Sequence, residues 1–342
     1  MISHPFNILL SSIGRRSYLV QYFRNALDGR GKVIGTNCLP DTPGLHAVDV
    51  PIVVPPAWES NYVPTMLDIS KEYEVRLLFS LHDLEAPYLA GHKKKFEEVG
   101  TRLVIGDPEF INICLDKYAT TRFAREHRLN MPETFSRLEN AQEALADGRL
   151  QYPLIIKPRC ATGSIGLYSV YEPDELTACV MLSRKEILRR KFFRSVRFGD
   201  HENVIIQQMI QGQEYGLNVL NDLEGNFAAC FLLRKLGMRN GETDAAETEH
   251  NPILEELGEA IGRTSRHPGL IDVDVIVHEQ TPYIIDMNPR FGGHYPFAHL
   301  AGANAPAALI AWANGEDPDP EWLKVTPNVR SFKDISLIKV LS

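Results

Sequence analysis

Apolar and polar positions follow two different rhythms along this chain, and the change falls a little past its middle. In the first hundred residues, short apolar runs at Asn7 to Ser12, Val33 to Gly35, Leu77 to Phe79 and Leu103 to Ile105 alternate with stretches at Tyr18 to Ala26, Tyr62 to Glu72 and Glu85 to Glu98. In those stretches apolar residues recur at helical spacing. The alternation predicts strands and amphipathic helices in turn, hence a small doubly wound α/β domain. Its ligand crevice is expected at the carboxyl ends of the strands. Asp116 to His127 predicts a helix ended by Pro132, and Tyr152 to Pro158 and Tyr168 to Tyr171 predict strands. From Val204 onward strand patterns dominate, at Val204 to Ile206, Tyr215 to Asn221, Phe227 to Arg234, Asp272 to Val277 and Tyr283 to Met287, with one helix at Ile253 to Thr264. That half predicts an antiparallel sheet carrying helices, an α+β unit. The basic stretch between Ser183 and His201, with Arg184, Lys185, Arg189, Arg190 and Lys191, reads as a solvated helix or connector.

Composition narrows the function. A chain of 342 residues is long enough for two or three cores. With 44% apolar and 23% charged residues it has the make-up of a soluble globular protein. The net charge is -8, and no Lys/Arg tract carries interleaved aromatics, so nucleic acid is not an expected partner. The segment Met1 to Phe6 lacks a basic lead into an apolar core and no run of eighteen apolar residues occurs, which predicts a cytoplasmic protein without a membrane partner. Cys38, Cys114, Cys160, Cys179 and Cys230 form no CxxC pair, and the histidines form no HExxH. A metal would therefore be held by oxygen.

The candidate chemistry begins at Asp286-Met287-Asn288-Pro289-Arg290. Asp286 and Asn288 are two apart, so an extended chain points both to one side, where they can share a hard cation such as Mg²⁺. Arg290 could hold an anion developing beside that metal. Asp274 lies on a neighbouring strand across the turn His278 to Thr281, and facing carboxylates repel unless a cation or proton intervenes. Lys157 ends an apolar strand and suits a phosphate oxygen. The following loop, Thr162-Gly163-Ser164-Ile165-Gly166, could close backbone N–H groups over phosphates, or be a simple hairpin turn. Gln207-Gln208-Met209-Ile210 follows a strand and could offer backbone groups to an adenine edge, with Glu214 accepting from ribose hydroxyls. Arg15 and Arg16, where a helix begins, suggest a carboxylate or phosphate on one substrate, and Asp83 and Glu85 a cation on another. The turn Arg239 to Thr243 covers the site or faces water.

The order of these motifs resembles the ATP-grasp superfamily, and within it the stand-alone proteins similar to the large subunit of carbamoyl phosphate synthase. The resemblance runs from Asp116-Lys117 through Lys157-Pro158, the glycine loop, Gln207 to Glu214, Gly241-Glu242-Thr243 and Asp274 to Asp286-Met287-Asn288-Pro289-Arg290, covering nearly the whole chain. It implies an α/β domain over 1–110 and a two-lobed ATP-grasp fold, with a small lobe over 111–202 and a large lobe over 203–342. It implies that Lys117 and Lys157 bind phosphates, with Gly163, Ser164 and Gly166 closing over them. Gln207, Gln208, Met209 and Ile210 would serve adenine, and Glu214 ribose. Asp274, Asp286 and Asn288 fall on metal-ligand positions, and Arg290, Lys157 and Glu242 count as catalytic. Asp286 stands where Glu is more usual and Asp274 where this group often has Gln, so one or two metal ions remain alternatives.

The activity so implied is ATP- and Mg²⁺-dependent ligation of a small-molecule carboxylate to an amine through an acyl phosphate, with Mn²⁺ as an alternative metal; a homodimer is the base-rate assembly for such a chain. Bicarbonate activation, as in carbamoyl phosphate synthase, and a nucleotide-binding regulator without turnover are the two alternatives.

Overall fold

The computed structural model describes residues 5–160, 163–189, 202–239, 241–335 and 337. Thr162, Asn240 and the 190–197 part of the basic stretch lie outside the described residues. Five parallel strands come first: β1 Asn7–Ser11, β2 Val33–Asn37, β3 Val50–Val53, β4 Val75–Ser80 and β5 Arg102–Val104, in the order β3-β2-β1-β4-β5. All five residues of β1 are buried, as a central parallel strand covered on both faces requires. β3 has no counterpart among the expected strands. It is short, half-buried and carries Pro51, which an edge strand tolerates. The helical pattern at Glu85 to Glu98 divides into helices Ala86–Ala90 and Lys93–Glu98, parted at Gly91-His92.

A four-stranded antiparallel sheet follows, with β6 Thr134–Phe135, β7 Leu154–Pro158, β8 Tyr168–Val170 and β9 Val204–Gln208 in the order β6-β9-β7-β8. Helix Pro173–Arg189 packs on it through Leu176, Val180 and Ile187. The third sheet holds six strands: β10 Gln213–Asn221, β11 Phe227–Arg239, β12 Glu242–Thr248, β13 Gly269–His278, β14 Thr281–Asn288 and β15 Arg330–Phe332. Its order is β14-β13-β10-β11-β12-β15, antiparallel throughout, with helix Pro252–Ser265 packed through Leu254, Leu257 and Ile261. The architecture is thus a parallel α/β unit joined to two antiparallel α+β sheets.

One apolar cluster fastens the first sheet to the third. Phe23 packs on Phe79 and Phe291 with ring centroids 4.9 and 5.6 Å apart, and Phe291 meets Tyr295 at 5.0 Å. Leu309 and Ile310 of helix Ala305–Ala313 complete the contact. The chain reverses direction across the first sheet between β1 and β4, so the crevice beyond their carboxyl ends is the switch point of that sheet. The cluster turns this crevice toward the segment that follows β14.

Candidate active site

A cleft of about 240 Å³ opens between the second and third sheets. Lys117, Lys157 and Lys235 line it together with Asp274, Asp286 and Glu214, and Ile165, Leu167, Met238 and Ile276 supply apolar walls. Lys117 opens helix Lys117–Glu126, whose N-cap Asp116 is clamped by Arg159 at 2.5 and 2.7 Å. That clamp ties the helix start to the end of β7. Lys157 sits on β7, 6% exposed, and among the described residues its Nζ donates only to the carbonyl of Ile285 at 3.4 Å. Burial, with Lys117 nearby, pushes the Lys157 ammonium down to about 8. A buried cation beside a second cation fits a polyanion.

The register of β13 and β14 sets Asp274 opposite Asp286 and Asp272 opposite Asn288. Because side chains alternate along a strand, all four share one face of the sheet. Each facing carboxylate is capped by a lysine: Lys117 Nζ lies 3.0 and 3.1 Å from Asp286, and Lys235 Nζ lies 2.5 Å from Asp274. Burial works against the charge on both lysines, yet Asp286 carries Lys117, and Asp274 carries Lys235, above the usual lysine range. Among the described residues no three His, Cys, Asp or Glu side chains converge to hold a metal by themselves. The donor set is nevertheless hard oxygen: two opposed carboxylates and an amide on one face, which fits Mg²⁺ once phosphate oxygens complete its shell.

Arg290 lies deeper, toward the first sheet. Its guanidinium binds Asp83 at 2.9 Å and Asp272 at 3.3 Å, and Asp272 also meets His294 Nε2 at 2.7 Å. Burial opposes the charges of Asp83 and Asp272, but Arg290 holds Asp83, and His294 with Arg290 holds Asp272, below the usual carboxylate range. Two glycines make room for this arrangement. A Cβ on Gly292 would lie 1.8 Å from an Asp272 oxygen, and one on Gly216 would lie 2.9 Å from the His294 ring. Asp83 therefore anchors Arg290 rather than standing free for a cationic substrate.

The structure brings Lys117, Lys157, Gly163, Ser164, Glu214, Asp274 and Asp286 around one cleft. Other expected residues are placed elsewhere. Gly166 packs against Pro158, with a Cβ position 3.0 Å from its ring. Gln207 is buried and donates to Thr134 Oγ1 at 2.9 Å, while Gln208 accepts from the Gln151 N–H at 3.0 Å, so both side chains fasten β9 to its neighbours. Met209 and Ile210 follow β9 partly buried, outside the cleft lining. Arg239 pairs with Asp244 at 2.8 Å and Glu242 with Lys333 at 3.6 Å. Arg15 is exposed. Glu85 is 2% exposed and enclosed in the first sheet, where Ser11, Tyr62 and Ser80 hydroxyls donate to it, so no substrate cation reaches it. Lys235, Asp272, His294 and Lys333 were not expected. The spacing of Asp272 and Asp274 was a usable signal, since residues two apart on a strand share a face. Lys235 extends the Phe231, Leu233 side of β11 in the same way.

A family profile described as ATP-grasp domain matches residues 114–294, more than half of the chain. The chain belongs to the ATP-grasp family. Residues 8–104 match a second profile, described as PylC-like, N-terminal domain. The chain is 23% identical over 218 residues to the carbamoyl phosphate synthase large chain of a Thermoanaerobacter strain, covering 59% of this chain and 18% of that protein. It thus spans about a fifth of the length of the curated relatives it matches. Among solved structures, the L-amino acid ligase from Bacillus licheniformis superposes with a TM-score of 0.66 at 18% identity, covering 94% of this chain and 78% of that one. The biotin carboxylase domain dimer of Hydrogenobacter thermophilus 2-oxoglutarate carboxylase, solved with MgADP, ADP and bicarbonate, superposes with a TM-score of 0.68 at 16% identity over 92% of this chain and 70% of that chain. These likenesses show the ATP-grasp fold. No helix among the described residues is long and apolar enough to cross a membrane.

Proposed function

We propose that this protein is an ATP- and Mg²⁺-dependent ligase that activates a small-molecule carboxylate as an acyl phosphate and joins it to an amine, releasing ADP and phosphate. The observation that carries the reading is the buried Lys157, bonded to no carboxylate among the described residues, in a cleft that also holds the opposed Asp274 and Asp286, with Arg290 two residues beyond Asn288. Lys117 and Lys157 would bind the phosphates, and Gly163 and Ser164 would exclude water above them. Glu214, exposed at the rim, would accept from the ribose. Asp274, Asp286 and Asn288 would hold Mg²⁺, which when bound supplies charge neutralisation for the transferring phosphoryl group. A substrate carboxylate oxygen bonds to the γ-phosphorus as the bond to the bridging oxygen of ADP breaks. The amine nitrogen then bonds to the acyl carbon, phosphate leaves and the nitrogen loses a proton. Arg290, fixed by Asp83 and Asp272, would hold charge on the acyl phosphate without reorganising.

In this reading 1–110 form the α/β domain, 111–202 the small lobe and 203–342 the large lobe, in a cytoplasmic homodimer. The experiment is to incubate the protein with ATP, Mg²⁺ and pools of carboxylates and amines and to measure ADP. ADP release requiring both pools is the expected result. Tight ATP binding without ADP from any pool rejects the ligase reading, and release that needs only bicarbonate replaces it with bicarbonate activation.

A further inference from the structure

The switch-point crevice of the first sheet carries a cation, Arg16, to which no carboxylate is bonded among the described residues. Arg16, partly buried, stands in the loop after β1 at the start of helix Ser17–Leu27, and Asp83 stands in the loop after β4. Among the described residues no hydrogen bond or ion pair engages the Arg16 guanidinium, and the two carboxylates that act on it, Asp83 and Asp272, are both bonded to Arg290. Burial and the neighbouring Arg290 push the Arg16 guanidinium below its ordinary range. Arg16 and Arg290 repel each other, and Asp83 and Asp272, both bonded to Arg290, offset this only in part, so a further anion is favoured beside Arg16. The open N–H groups at the start of the 11-residue helix, which has no side-chain cap, favour the same charge. Lys333 stands beside the segment after β14: its Nζ lies 3.8 Å from the Cβ position of Gly293 and 3.6 Å from Glu242.

We propose that the carboxylate substrate carries a second anionic group, and that Arg16 binds this group while Arg290 faces the reacting carboxylate. The inference rests on the ligase reading above and names its substrate class: a small dianion, either a dicarboxylate or a phosphorylated carboxylic acid. Arg290 is already neutralised by two carboxylates, so Arg16 supplies the net attraction. The reaction leaves this second group unchanged.

The test is calorimetric titration of the full chain, with Mg²⁺ and a non-hydrolysable ATP analogue present, using succinate, phosphonoacetate and the monoanion butyrate. At least one dianion is expected to bind tenfold or more tightly than butyrate, and which one does so distinguishes the two sources of the second charge. Arg16→Gln is expected to erase that ratio while leaving affinity for the ATP analogue within twofold, and Arg16→Lys to restore part of it. The lysine variant also serves if the glutamine variant fails to fold, since a shortened cation should then shrink the ratio. Equal binding of dianions and butyrate, no binding of either dianion, or an unchanged ratio in the Arg16 variants overturns the proposal. Dianion preference without any ADP formation would instead reject the ligase reading and leave the Arg16 site standing.

Discussion

Glu85 makes the stability of the first sheet depend on pH in a direction opposite to most buried acids of known ion pairs. Burial pushes its carboxyl from an ordinary 4.5 up to about 7, against the hydrogen bonds of Ser11 and Ser12. Between those values the folded chain keeps a proton that the unfolded chain has released. Stability therefore falls as pH rises, by about 1.4 kcal/mol per pH unit. The contribution is complete below pH 4.5 and lost by the time pH passes about 7, a total of roughly 3 kcal/mol. His267 opposes it. Burial lowers its imidazole from 6.5 to about 3, so over that range the unfolded chain takes up a proton the folded chain refuses, and stability falls toward acid. The two slopes oppose each other between pH 4.5 and 6.5, and His299, lowered by burial to about 4, adds to the His267 side, so the wild-type profile alone does not isolate Glu85. Glu85→Gln keeps the shape and removes one titration. Urea unfolding followed by far-ultraviolet circular dichroism from pH 4.5 to 8 is the assay. The variant should gain about 3 kcal/mol relative to wild type between the two ends of that range. A difference that stays flat with pH would refute the reasoning, because a solvated or metal-paired carboxyl would not hold its proton.

Lys157→Met should weaken binding of an ATP analogue by about tenfold to a hundredfold, the worth of one charge-assisted hydrogen bond, with little loss of folding stability because a buried cation is removed. Calorimetry of the analogue beside a melting curve checks both parts. Gly292→Ala would force the Asp272 carboxylate aside, since its oxygen lies 1.8 Å from the new Cβ. Turnover should fall by more than tenfold while affinity for the ATP analogue is kept, and steady-state kinetics against binding separates the two. Phe23→Ala should destabilise the junction of the first and third sheets by about 3–5 kcal/mol, as the loss of a fully buried ring does, and lower the melting temperature.

What local sequence determined is the list of elements and the chemistry each one brings. Periodicity sufficed for β1, β4, β7, β10 and β14, because burial on one face or two dictates which positions are apolar. It also sufficed to put Asp286 and Asn288 on one side of a strand and Lys157 at the end of another. The short edge strand β3 escaped because an edge buries too little to leave a pattern, and the spacing did not show that the Gln207 and Gln208 side chains bond to Thr134 and Gln151, which leaves only their backbone to serve the expected adenine. Only the tertiary structure decided which charges meet. Lys117 reaches Asp286 across 169 residues and Arg290 reaches Asp83 across 207. Such pairs are set by strand register and by how the aromatic junction of Phe23, Phe79 and Phe291 seats one sheet against another. Those contacts depend on packing between distant segments, and no spacing along the chain records them.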